Sequence, residues 1–377
     1  MAGRISKLAA VLCILSIYTC NPFVFLIPAT VSSASRSKSE TKPPLFLRQI
    51  DGKTAIRGDR YYATNSTIPH ASVVSAELGV KPPLEASKRA WKRAWKIHKR
   101  ALPILHVLDR CKPSNSKLNL ACIWWKALSG NDPSSPVFDN GLSHDFLPAK
   151  SRFVVNRLFR RFYPRLHHAN VEIRTAYLDQ AVVGAISDSK QRAHQRNETA
   201  FAKFRLISMG AGYDVRSIKF LQRGDIFEAY ELDLPEVVDT KARLFNRAKK
   251  RRRNIRDENI PKAIGIDLNM VNDVRDALMN ILGDDDENVH TIILFEAVMI
   301  YLDEGVPTSL LKICADALKP LEENGSFSSL VFADRLENIP GGDFDAGKQV
   351  LESAGWKIVD WLPKPGLARH MGRLVLM

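Results

Sequence analysis

Apolar positions follow two different patterns on either side of about residue 200. Beyond it, short runs rich in β-branched and aromatic residues recur at Phe204 to Met209, Ile226 to Leu232, Ala263 to Leu268, Thr291 to Val298, Phe327 to Ala333, Trp356 to Leu362 and His370 to Leu376. These runs predict strands. Between them, Pro235 to Arg252, Asp273 to Leu282, Glu304 to Ala317 and Phe344 to Ala354 carry helical spacing over the length a crossover needs. Strands alternating with such helices predict a parallel sheet covered on both faces. The last two strands are separated only by a stretch with Pro363, Pro365 and Gly366. That is too short for a helical crossover, so this pair is expected to be antiparallel.

The chain begins differently. Arg4 and Lys7 precede an apolar run, Leu8 to Tyr18, which resumes as Phe23 to Ile27 before the small and polar stretch Ala29 to Ser37. This order is that of a signal peptide, with cleavage expected near Ala34. An uncleaved membrane anchor is the alternative, because Leu8 to Val31 would just span a bilayer. Either reading sends the chain into the secretory pathway, and a plastid reached through a bipartite signal is the other destination. Residues 38 to 84 show little periodicity. Ser87 to Arg110 then reads as a basic amphipathic helix, with Trp91, Trp95 and Leu102 set against Lys88, Lys92, Arg93, Lys96 and Arg100.

Charge sharpens this division. The 377 residues carry 55 Lys+Arg and 41 Asp+Glu, a net charge of +14, and 17 Lys+Arg against 5 Asp+Glu fall between Glu85 and Arg165. The basic helix therefore suits a membrane surface, or it packs its tryptophans on the main domain. The run Lys249 to Arg253 closes a predicted helix, where positive charge favours the dipole, and reads mainly as a solvated face. Neither basic patch interleaves aromatics suited to stacking bases, so no nucleic-acid partner is expected. Five cysteines without CxxC spacing argue against zinc clusters and a dense disulfide framework. The sequons at Asn65, Asn197 and Asn324 carry weight only in a secretory compartment, and Asp284 to Glu287 reads as an exposed loop.

Candidate chemistry collects at the strand ends. The first strand runs into Ser208-Met209-Gly210-Ala211-Gly212, where glycines allow a tight turn and close approach of a ligand. The second ends in Asp233, about 20 residues on, where an acid can accept from both hydroxyls of an adenosine ribose. The third ends in Asp267 and Leu268, a carboxylate for an exocyclic amine and an apolar floor, and the fourth in Glu296, which could face a cation. All lie where open α/β sheets bind ligands. Val215 stands where a dinucleotide fingerprint has its third glycine. The set suits a nucleoside with a cationic amino-acid tail, such as S-adenosylmethionine, better than NAD. No metal trio and no histidine at a strand end is evident; His167 and His168 precede Arg174 on a predicted helix, where capping or surface roles fit them.

The segments SMGAGYDVR, YELDLPEVVDTK, IGIDL and TIILFEAVMIYL, preceded by VFDNGLSHDFL and VEIRTAYLD, resemble the leucine carboxyl methyltransferase family from about Leu118 to the C-terminus. The resemblance implies an α/β, Rossmann-like S-adenosylmethionine-dependent methyltransferase fold: a mostly parallel seven-stranded sheet with a C-terminal antiparallel strand, plus a helical N-terminal part. Together with the leader it divides the chain into residues 1–35 as signal or anchor, 36–117 as basic leader, and 118–377 as methyltransferase domain, with a helical cap over 118–200 and the core over 201–377. Gly210 and Gly212 would bend around the cofactor, Asp233 would hold its ribose, and Asp267 and Leu268 would frame adenine. Glu296 would face the methionine ammonium and Arg174 its carboxylate, a match for the planar guanidinium fork. Asp214 and Arg216 would brace the loop, and Tyr301 would border the methyl-acceptor side. Ser208 and Ala297 depart from the family's frequent Asn and Gly. The implied reaction is methyl transfer to a carboxylate or hydroxyl oxygen of a small molecule or a protein C-terminus. A non-catalytic membrane-associated or partner-binding protein on the same core is the alternative.

Overall fold

The computed structural model describes residues 49–50, 53–54, 114–147, 152, 168–195, 203–252, 255–283, 289–323, 325–334, 344–363 and 370–377. The N-terminal apolar run, the basic helix over Ser87 to Arg110, the asparagines of the three sequons, the acidic cluster Asp284 to Glu287 and His167 lie outside the described residues. Two compact units are present: one takes residues 1–57 and 86–109, the other residues 58–85 and 110–377. The first contains a short antiparallel pair, Gln49–Ile50 with Lys53–Thr54.

The described part of the larger unit opens with helices α1 (Ser114–Gly130), α2 (Leu142–Phe146) and α3 (His168–Gln195). There follow β1 (Lys203–Met209), α4 (Arg216–Arg223), β2 (Glu228–Asp233), α5 (Pro235–Arg251) and β3 (Lys262–Gly265). The chain continues through α6 (Val271–Leu282), β4 (Val289–Glu296), α7 (Val306–Glu323) and β5 (Ser328–Asp334). It closes with α8 (Phe344–Ser353), β6 (Trp356–Pro363) and β7 (His370–Leu376). The seven strands form one sheet in the order β3-β2-β1-β4-β5-β7-β6. The five strands β1 to β5 are parallel, whereas β7 runs antiparallel to both β5 and β6.

Both faces of the sheet are buried, and the alternation of side chains along each strand divides them. Ile207, Met209, Ile293, Phe295, Leu330 and Phe332 face a core with α6, α7 and α8. Their neighbours Leu206, Ile292, Leu294 and Val331 face a second core built on Ile173, Tyr177, Val182 and Phe220 of α3 and α4. The order reverses between β1 and β4, which opens a crevice at the carboxyl ends of these strands.

Several expectations change. Helix α4 is absent from the sequence pattern; its eight residues end at Gly224, whose φ of 69° and N–H bonds to Leu221 and Phe220 make a left-handed stop. The helix α7 extends past Ala317 to Glu323 and carries Pro320 inside it. Helix α1 begins at Ser114, so the boundary drawn at 117/118 falls inside a helix. The third strand ends at Gly265, and Ile266 N–H donates to Asp233 O at 2.7 Å just beyond it. The basic run is exposed at Lys250 and Arg251, as a solvated face would be, and it also bonds the helical cap: Arg252 bonds the Asp145 carboxylate and Asn140 O, and Arg251 donates to Asp145 O at 2.7 Å. These bonds pin the C-terminus of α5 to α2.

Candidate active site

Strand β1 leaves the sheet through Gly210 and Gly212, whose φ values of 66° and 51° are left-handed. A Cβ on Gly210 would lie 2.2 Å from Val298 Cγ2, so the bare Cα is what allows Val298 to sit on this turn. Gly210 N–H donates to Leu232 O at 2.7 Å, joining the turn to β2. Gly212 N–H donates to Asp233 Oδ2 at 2.6 Å, and Leu234 N–H to Asp233 Oδ1 at 2.8 Å. Burial pushes the Asp233 carboxyl above its ordinary range, opposed by these two N–H groups. Each oxygen thus holds one backbone bond and keeps acceptor capacity for another donor.

Glu296, at the end of β4, gathers cations from three helices. Arg174 Nε of α3 donates to Oε1 at 2.8 Å, while Arg216 Nη1 of α4 and Lys126 Nζ of α1 donate to Oε2 at 2.7 and 3.1 Å. Burial alone would raise the Glu296 pKa; Lys126, Arg216 and Arg174 hold it well below the usual carboxylate range. The network continues outward. Arg216 also pairs with Asp179 and Asp214, both at 2.6 Å, Lys126 with Asp214 at 3.1 Å, and Lys219 with Asp179 at 2.8 Å. Burial opposes the Asp179 charge, but Arg216 and Lys219 leave its pKa below the ordinary value. The network holds Lys126, Arg174, Arg216 and Lys219 against Asp179, Asp214 and Glu296, an excess of one positive charge. Asp139, which lines a small cavity with Lys126, Thr175, Asp179 and Arg216, has its pKa raised by burial. Arg174 spends its Nε on Glu296, and its Nη2 reaches Cys122 Sγ at 4.0 Å.

The structure therefore brings Gly210, Gly212, Asp233, Arg174 and Glu296 to the carboxyl ends of β1, β2 and β4. Asp267, Leu268 and Tyr301 differ in their surroundings. Asp267 lies in the loop after β3, exposed, its Oδ1 accepting Asn269 N–H at 2.9 Å and Asn269 Nδ2 at 3.1 Å. Leu268 is 4% exposed and belongs to the core beneath, so it is a packing residue of the sheet before it is a ligand floor. Tyr301 is 46% exposed at the end of the 3₁₀ turn Met299–Tyr301. Arg174 and Glu296, expected to face opposite charges of a ligand, are first of all each other's partners. Glu296 Oε1 holds the single Arg174 bond and is the oxygen with acceptor capacity left.

Lys126 and Asp179 escaped the sequence reading. Their signal was a charge on an apolar stripe. Lys126 is 8% exposed between Trp124 and Ala127, and Asp179 follows Ile173, Tyr177 and Leu178 on α3. Charged residues are seldom buried without partners, which is reason enough to look for them there.

Residues 119–315, more than half of the chain, match the model of the leucine carboxyl methyltransferase family. No curated protein sequence matches. Among solved structures, the chain is similar to magnesium protoporphyrin IX methyltransferase from Synechocystis PCC 6803 with bound S-adenosylmethionine, at 12% identity and a TM-score of 0.36, covering 63% of this chain and 97% of that one. It is also similar to the mitomycin 7-O-methyltransferase MmcR, at 14% identity and a TM-score of 0.34, covering 82% of this chain and 88% of that one. The family match decides the matter: the chain belongs to the leucine carboxyl methyltransferase family and is an S-adenosylmethionine-dependent methyltransferase.

Proposed function

We propose that the acceptor is an oxygen, and that a carboxylate of a small molecule or a protein C-terminus suits this site better than a hydroxyl. The residues fit the cofactor. Asp233 keeps one acceptor position on each oxygen for the two ribose hydroxyls, and Asp267 keeps its Oδ2 for an exocyclic amine. The excess cation of the Lys126–Arg174–Arg216–Lys219 cluster seats the methionine carboxylate, and Glu296 aligns those cations and offers Oε1 to the ammonium. Bound there, the sulfonium supplies an electrophilic methyl carbon. The chain contributes alignment and a dry surrounding, which are the main levers for an in-line displacement.

One observation carries the acceptor class: the three carboxylates of the ion-pair network, Asp179, Asp214 and Glu296, are already committed to cations. Glu296 and Asp179 are ion-paired and held below the ordinary range, so they are poor proton acceptors near neutral pH. A carboxylate acceptor is ionised already and needs no base, whereas a hydroxyl does. The test is to incubate full-length protein with methyl-labelled S-adenosylmethionine and a cell extract, then treat the products with mild alkali. Label released as volatile methanol identifies a methyl ester. Label that resists alkali, as on an ether or a nitrogen, overturns the carboxylate reading.

The same proposal includes a compartment. Arg4, Lys7 and the apolar run behind them support entry to the secretory route, by signal peptide or anchor, with the plastid as alternative. The basic segment over Ser87 to Arg110 supports contact with a membrane surface. A soluble reporter fused to residues 1–40 and recovered at full length in the cytosol would count against it.

A further inference from the structure

Beyond the ion network, the turn that follows β4 is held by one carboxylate. Asp334 is the last residue of β5 and is 0% exposed. The parallel register pairs Glu296 with Ala333, which sets Asp334 beside the exit of β4. There its Oδ2 accepts Val298 N–H at 2.6 Å and Met299 N–H at 2.8 Å, and its Oδ1 accepts Ile300 N–H at 3.3 Å. Ala297 N–H goes to Ala333 O at 3.1 Å. Four successive backbone donors after Glu296 are thus satisfied by two successive residues of β5. Amides converging on an anion in this way form a nest, here with the anion supplied by the chain itself.

The turn needs such a hold. Ala297 has a φ of 54°, a left-handed value that a residue with a Cβ adopts only when its surroundings enforce it. The next residue, Val298, lies on Gly210, where even one added methyl would come within 2.2 Å of it. Gly210 starts the loop whose Gly212 N–H fixes Asp233. One side of the clamped turn therefore presses on the cofactor loop, and its other end carries Tyr301.

We infer that Asp334 is a positioning residue for the cofactor: its carboxylate clamps the backbone of residues 298–300 and so seats Val298 against Gly210, fixing the loop that binds the nucleoside. The inference rests on the assignment of this crevice to S-adenosylmethionine. Asp334→Asn keeps the size, removes the charge and puts an N–H donor where at least one of the three amides has its acceptor.

The experiment is calorimetric titration of full-length wild type, Asp334→Asn and Val298→Ala with S-adenosylhomocysteine, with folding followed by circular dichroism. Asp334→Asn is expected to weaken binding at least tenfold at unchanged secondary structure. Val298→Ala leaves the clamp in place but removes the two γ-methyls that lie against Gly210, and is expected to lose affinity in the same direction. In the double variant the two losses should be less than additive, because both act through one contact. A purely structural Asp334 would lower the melting temperature and leave the affinity of the folded protein unchanged. A folded Asp334→Asn that binds within twofold of wild type overturns the inference. Should Asp334→Asn fail to fold, Val298→Ala within twofold of wild type does so instead. Failure of wild type itself to bind would strike the cofactor assignment, a separate result.

Discussion

Arg174 Nε and Glu296 Oε1 lie 2.8 Å apart although 122 positions separate them in the chain. The pair ties α3 to the end of β4 at the point where the sheet order reverses. Both side chains are buried, at 5% and 8% exposure, and Glu296 adds Lys126 and Arg216 to the same carboxylate. A buried ion costs several kcal/mol of desolvation that only close partners offset. The crevice is therefore held in shape by charges that offset one another.

Glu296→Gln should accordingly destabilise the protein without any ligand. It leaves three buried cations facing a neutral amide. Breaking a buried pair by removing one partner costs about 3–5 kcal/mol. Urea unfolding of wild type and variant in the absence of cofactor measures this, and a difference below about 0.5 kcal/mol, the range of an ordinary surface substitution, would show that the cations are satisfied elsewhere.

The pH dependence follows from the same groups. Glu296 and Asp179 have folded-state pKa values below their unfolded ones, so their contribution is present above the unfolded carboxylate range and is lost as pH falls through the lowered values. Asp139, Glu231 and Asp233 shift upward, chiefly by burial, and act in the opposite sense: their contribution is complete below the unfolded range and is lost as pH rises through the raised values. Stability measured by urea unfolding should therefore hold or rise on mild acidification and fall below about pH 4, the range where unfolded carboxylates titrate. In Glu296→Gln the acid limb should be shallower. An identical limb in both proteins would remove Glu296 from the acid transition.

The two glycines of the β1 turn differ in what a methyl would meet. Both have positive φ, which costs about 1–2 kcal/mol for an L residue. At Gly210 the added Cβ also meets branched Val298 at 2.2 Å, whereas at Gly212 it meets the amide end of Asn119 at 2.8 Å, which a side-chain rotation can withdraw. Overpacking adds about 1–3 kcal/mol where the neighbour cannot yield. Gly210→Ala should thus cost more stability than Gly212→Ala in urea unfolding, and the reverse order would place the tight contact at Asn119.

How much of this was legible depends on the range over which each signal acts. Strands such as Phe204 to Met209 and Thr291 to Glu296 show in the sequence because burial on both faces leaves a continuous apolar run. The acids Asp233 and Glu296 show because a strand end is a local position. The third strand was drawn too long because Ile266 and Leu268 are apolar for reasons of core packing, while ladder pairing stops with Asp233 opposite Gly265. Lys126 reaches Glu296 across 170 positions and Asp334 reaches Val298 across 36. Neither pairing has a periodicity, and each exists only once the sheet order places the elements side by side.

Lys126 gives the sharpest test of the charge balance. The ion-paired cluster has four cations for three carboxylates. Lys126→Met keeps an unbranched apolar stem of similar length, removes the ammonium and leaves the cluster balanced. It should then lose its preference for an anionic group. A charge-assisted hydrogen bond contributes about 1.5–3 kcal/mol, or roughly ten- to over a hundredfold in affinity. S-Adenosylhomocysteine should bind the folded variant more weakly by that factor. 5′-Methylthioadenosine has the same nucleoside but no amino-acid carboxylate, so it should bind wild type and variant within about twofold. Calorimetric titration of both proteins with both ligands separates the outcomes. Equal losses for the two ligands would mean that Lys126 supports the shape of the crevice, and no loss for either would place the carboxylate on Arg174 alone.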